Sequence, residues 1–112
     1  MIQAFINIIN NSVDAFEDTS NNEKFFFIKT SKINDKTIIK LKDNAGGIDT
    51  DLLDKVFEPY TTNKHKSQGT GLGLNITYNF IVIGMKGKIS VENLVYSYKG
   101  ENYKGCEFTI TL

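Results

Sequence analysis

Three glycines, Gly69, Gly71 and Gly73, alternate through the stretch GTGLGLN, and an apolar run follows at once. Each glycine inside a helix costs roughly 1 kcal/mol relative to alanine, so a helix start this rich in glycine needs a reason. A loop that opens into a helix presents unpaired N–H groups and the positive end of the helix dipole, which together bind anions. Glycine lets that backbone approach a phosphate without a Cβ in the way. The alternative is a tight turn with close helix–sheet packing. The stretch is not a Walker loop, because no Gly-Lys-Ser/Thr follows. It is not a dinucleotide fingerprint either, because no strand directly precedes it.

Three other groups of residues carry chemistry. Asn7 and Asn11 stand four apart, on one face of a helix. An amide oxygen is a neutral, hard ligand suited to Mg²⁺, which shares its coordination sphere with phosphates and waters; the alternative is two solvated polar positions. Asp43 opens the stretch DNAGGI at the end of a strand. Its carboxylate could accept a hydrogen bond from the exocyclic amine of adenine and would repel the carbonyl guanine offers there. Alternatively, it caps its own turn. FEPYTT (57–62) places Phe57, Pro59 and Tyr60 before a polar, non-periodic stretch, 60–70, that reads as a mobile loop. Such aromatics anchor hinged lids, or simply stop a helix.

The elements that must position these groups follow from periodicity. Residues 2–16 place Ile2, Phe5, Ile6, Ile9, Val13 and Phe16 at helical spacing. Runs 24–31 and 36–43 are β-rich and joined by KIND, a hairpin signal. Residues 50–57 predict a short helix capped by Thr50, and 72–85 a longer one. Residues 88–93 and 106–112 predict strands, joined by a hairpin-like connection. This order, α-β-β-α-α-β-β, predicts an α+β sandwich: a mixed, largely antiparallel sheet with helices on one face.

The chain has 112 residues, enough for one small domain. Thirteen lysines balance thirteen acids, and there is no arginine. The absence of a basic run argues against a nucleic-acid groove, and any phosphate contact must come from Lys, backbone N–H or a metal. One cysteine, Cys106, excludes an internal disulfide and fits a reducing compartment. No 18-residue apolar run and no leader pattern occurs, so a cytoplasmic location without direct membrane contact is expected, the parent protein being membrane-anchored or not.

Asn7–Asn11, DNAGGI, FEPYTT and GTGLGL, in that order, resemble the N, G1, F and G2 boxes of the sensor histidine kinase catalytic domain, and GCEFTITL resembles that family's last strand. The resemblance covers essentially the whole chain. It implies the Bergerat two-layer α/β sandwich of the gyrase, Hsp90, histidine kinase and MutL superfamily, with ATP and Mg²⁺ as cofactors. It also implies roles: Asn11 as the Mg²⁺ ligand; Asn7 near the phosphates; Asp43 as the adenine reader. Gly47 and Ile48 would form the G1 turn, Phe57 and Tyr60 the lid hinge, and Gly69, Thr70, Gly71, Leu72 and Gly73 the phosphate side. Asn7 and Asn11 are thus the catalytic candidates. The gyrase, Hsp90 and MutL branches carry Glu at the position of Asn7, as a general base for water; an amide takes no proton, which favours transfer to a histidine.

Two positions depart from the family pattern. Ala45 replaces a glycine of DxGxG and resists positive φ. Asp14 stands where many members carry Lys or Arg, leaving Lys64 or Lys66 as substitute phosphate contacts. The single histidine, His65, reads as an exposed loop residue. A phosphoacceptor helix pair and the strand that usually precedes the first helix are not in this sequence. The expectation is therefore a fragment of a longer kinase, with an exposed sheet edge as a route to a homodimer. The acceptor domain of the parent kinase, and indirectly a response regulator, are the expected partners. An ATPase of the same superfamily, or a non-catalytic nucleotide-binding module, is the alternative reading.

Overall fold

The computed structural model describes residues 2–17, 23–58 and 73–112. Helix α1 spans Ile2–Phe16, followed by strands β1 (Phe26–Ile33) and β2 (Lys36–Asp43). The short α2 (Thr50–Leu53) and α3 (Gly73–Tyr78) come next, and α3 continues as a π-helix over Asn79–Gly84. Strands β3 (Lys88–Tyr98) and β4 (Glu101–Thr111) complete the described chain. The four strands form one sheet in the order β1-β2-β4-β3, every neighbouring pair antiparallel. The sequence predicts a mixed, mostly antiparallel sheet, and its described strands are entirely antiparallel.

Both hairpins are closed by two residues at positive φ, Asn34-Asp35 (52° and 67°) and Lys99-Gly100 (52° and 82°). That backbone twist matches the right-handed twist of the flanking strands. The second hairpin is longer than predicted: the connection expected over 95–105 is itself ladder, paired as far as Tyr98 with Glu101. β4 pairs with β2 only from Glu107 onward. The hairpin tip therefore runs past the end of β2.

The core lies between the helices and one sheet face. Ile39 and Leu41 of β2, Phe108 and Ile110 of β4 and Ile89 of β3 meet Ala4 and Ile8 of α1 and Ile81 of the π-helix. Leu41, Phe108, Ile8, Ile81 and Ile110 are almost wholly excluded from solvent. Burial of side chains of this size stabilises the fold by about 1.5–3 kcal/mol each.

α1 is a helix as predicted, but turned about its axis. Its buried stripe is Ala4, Ile8, Ser12 and Phe16, while Ile2, Ile6 and Val13 are 75%, 42% and 50% exposed. The reason is polar: turned this way, Ser12 reaches β2 and Asn7 reaches α3. The predicted cap of α2 also moves one residue. Asp49 takes the cap position, and its carbonyl accepts from Leu52 and Leu53 N–H at 2.9 and 3.0 Å.

Candidate nucleotide-binding site

The site starts at the end of β2. Alternation puts Ile39, Leu41 and Asp43 on the helix-covered face. Asp43 is thereby carried under α1, where it is the one buried carboxylate among the described residues. Such a group must be fully hydrogen-bonded to be tolerated. Ser12 Oγ donates to its Oδ2 at 2.7 Å, and the Ala45 and Cys106 N–H groups donate to Oδ1 at 3.0 and 3.3 Å. The Cys106 thiol completes the set, donating to Oδ2 over 3.6 Å. Burial, and after it the charge on Asp43, push the thiol's pKa up, so Cys106 stays a protonated donor.

The turn after β2 is held from three sides. Gly46 and Gly47 have φ of 97° and 87°. The left-handed positions are thus the two glycines, and Ala45 keeps an ordinary conformation, which is why its replacement of a family glycine is accommodated. Gly46 N–H donates to Lys104 O at 2.9 Å. Asn93 grips Ile48 twice, accepting from its N–H at 2.8 Å and donating to its carbonyl at 2.7 Å. A Cβ on Gly47 would stand 3.0 Å from Asn93 Oδ1. Tyr96 donates its hydroxyl to Asp43 O at 2.8 Å; burial first and Asp43 second push that phenol up to about 12, so it remains a donor.

Asn7 joins α1 to the start of α3. Its Nδ2 donates to Gly73 O at 3.1 Å and to Thr77 Oγ1 at 3.0 Å, while Gln3 Nε2 donates to its Oδ1 at 2.9 Å. Asn11 follows one turn later, half-buried on the same face. Phe57 packs on Tyr78 and Phe108, with ring centres 5.4 and 6.2 Å away, and its carbonyl accepts from Asn75 Nδ2 at 2.9 Å. The start of the aromatic box is therefore anchored in the core. Asn7 thus ties α1 to Gly73, and one turn on Ser12 ties the same helix to Asp43.

The family model described as histidine kinase-, DNA gyrase B- and HSP90-like ATPase matches residues 1–112. This chain belongs to that ATPase family. Sporulation kinase E of Bacillus subtilis (strain 168) is 36% identical over 111 residues, covering 98% of this chain and 13% of the relative. Sporulation kinase D of the same organism is 34% identical over 110 residues, covering 98% and 19%. The chain thus spans under a fifth of either relative's length. The solved catalytic domain of histidine kinase ThkA superposes with a TM-score of 0.76 at 26% identity, over 98% of this chain and 64% of that one. The α+β sandwich read from element order is the fold of this ATPase family.

Tyr60, Lys64, Lys66, His65, Gly69, Thr70, Gly71 and Leu72 lie outside the described residues. So does the predicted start of the second long helix at Leu72, and its later half is π- rather than α-helical. Sequence reasoning missed Ser12, Asn93, Tyr96 and Cys106, which hold Asp43 and the turn after it. Two left a signal. Ser12 is the polar member of an otherwise apolar i, i+4 series, and Asn93 sits where strands disfavour asparagine. Asn44, wholly buried, was also unassigned; it holds the approach to β1 by accepting from Phe25 N–H at 2.8 Å and donating to Glu23 O at 2.9 Å.

Proposed function

We propose that this domain binds Mg-ATP between α1, the turn after β2 and the start of α3, and presents the γ-phosphate to a histidine on a separate domain of a longer sensor kinase. The observation that carries the reading is Asp43, fixed under α1 with one weak donor among four. A carboxylate has about four lone-pair positions, and a thiol is a poor donor. The adenine amine would take the place of the Cys106 thiol at Oδ2, while Ser12 and the two backbone N–H groups hold the carboxylate in place. Guanine presents a carbonyl to the same oxygen and is repelled.

Asn11 suits Mg²⁺ as a single neutral oxygen donor, the rest of the sphere coming from phosphate and water. The metal would supply neutralisation of charge at the phosphates. Gly73, Gly71 and Gly69 would present backbone to the phosphoryl tail. Asn7 supports transfer over hydrolysis: its amide is committed as a donor to Gly73 and Thr77 and has no basic nitrogen to take a proton from water. Catalysis then rests on positioning of the reactants.

Calorimetry with ATP, ADP and GTP, each with and without Mg²⁺, tests the nucleotide site. ATP and ADP should bind, GTP at least tenfold more weakly. Asn11→Ala should remove the Mg²⁺-dependent part of the affinity while leaving metal-free ADP binding. Equal binding of GTP, or none of any nucleotide, overturns the reading. Phosphotransfer to the acceptor domain of the parent kinase tests the reaction, and steady-state hydrolysis by this domain alone would favour the ATPase reading.

A further inference from the structure

The sheet's other face carries a feature the nucleotide site does not use. Phe26 packs on the core, so Phe27 points away from it, out of the opposite face of the sheet. β3 is not a neighbour of β1 in the sheet, yet Phe27 lies 5.0 Å from Tyr98 and 6.4 Å from Tyr96 between ring centres. Phe25 likewise meets Tyr98 and Tyr103 at 4.9 and 5.1 Å. The tip of the β3–β4 hairpin thus folds back across the sheet's outer face. Beneath it is a groove of about 340 Å³ whose lining includes Phe27, Tyr96, Tyr98, Lys29, Lys40 and Lys42. Its wall is fixed, because the Tyr96 hydroxyl is bonded to Asp43 O.

Among the described residues, three lysines face this groove against one carboxylate, Glu107, and that one is already paired with Lys40 at 3.6 Å. Lys42 Nζ lies 4.2 Å from the Tyr96 ring centre and 5.5 Å from that of Phe27, so the ammonium group sits among the aromatic faces. We propose that this groove binds a small planar aromatic acid, its ring against Phe27 and Tyr98 and its anionic group on Lys42 and Lys29. The volume falls in the range of small-molecule sites, and apolar walls with a few convergent polar groups are their usual construction. The lysine excess selects an anion, and the aromatic walls select a flat ring.

The test is a titration of the 112-residue chain with 1-naphthaleneacetate, followed by amide NMR shifts. Naphthalene-1-ethanol serves as the uncharged counterpart. Shifts should map to Phe27, Lys42 and Tyr98, and the alcohol should bind at least fivefold more weakly. Lys42→Gln and, separately, the exposed Lys29→Gln should each weaken binding about fivefold, and Lys42→Arg should restore most of it. Shifts confined to the nucleotide side, no saturable shifts, or equal binding of acid and alcohol overturn the proposal. So does binding of polyglutamate in place of the naphthyl acid, which would make the face a protein-docking surface.

Discussion

Gly105 occupies the crossing point of the fold, where β4 leaves β2 and passes the end of that strand. A Cβ built there would overlap the carbonyl oxygen of Asp43. Relief requires β4 to move, and two hydrogen bonds depend on its present place: Gly46 N–H to Lys104 O at 2.9 Å and Cys106 N–H to Asp43 Oδ1 at 3.3 Å. Each such bond contributes about 1 kcal/mol net, and overpacking a tight site costs about 1–3 kcal/mol. Gly105→Ala should therefore destabilise the domain by about 3–5 kcal/mol, a large part of the whole stability of a small domain. Urea denaturation followed by circular dichroism measures this directly. Gly100→Ala is the control: its φ is 82° but nothing lies within 4 Å of its Cβ position, so only backbone strain of about 1–2 kcal/mol is expected. Without a steric conflict, alanine for glycine within a strand would stabilise by about 0.5–1 kcal/mol. A Gly105→Ala variant as stable as the parent would therefore refute the close approach of β4 to Asp43.

Asp43→Asn should keep stability within about 1–2 kcal/mol, because the amide oxygen can accept from the Ala45 and Cys106 N–H groups while Ser12 turns its hydroxyl to accept. ADP affinity by calorimetry should nevertheless fall about tenfold or more, the worth of one hydrogen bond to a charged group. Asn93→Ala leaves both backbone groups of Ile48 without their side-chain partner; a loss of about 1–3 kcal/mol is expected, with faster amide exchange at Ile48 than in central β2. Tyr96 is held neutral in the fold up to about 12, against 10.0 for the ordinary phenol. Its contribution is therefore complete below pH 10 and lost as pH rises towards 12, so urea midpoints of the parent should fall more steeply over that window than those of Tyr96→Phe. Ser12→Ala removes a buried donor from Asp43, and a cost of about 1–3 kcal/mol in the same denaturation assay is expected.

Much of this architecture was legible in the order of residues. Apolar spacing gave α1 and the central strands, and Gly46 and Gly47 marked the turn, because left-handed backbone favours glycine for steric reasons that are local. The roles proposed for Asn7, Asn11 and Asp43 rest on the resemblance; the family itself is the one to which the chain belongs. The rotation of α1 was not legible, because six apolar residues at helical spacing fill more than one face and only the partners across the interface choose between them. The hairpin tip also escaped, since Tyr96, Lys99 and Tyr103 read equally well as a polar loop until the ladder pairs them.

By itself the sequence determined what depends on neighbours along the chain: which stretches favour helix or strand, which turns need glycine, and which side chains can accept a proton or hold an anion. Tertiary structure decided what depends on residues far apart meeting. Ser12, Asp43 and Cys106 stand 31 and 63 residues from one another, and Asn93 reaches Ile48 across 45. A buried carboxylate is stable only where donors from several elements converge on it, and that convergence is set by how helix and strands pack, not by any local pattern.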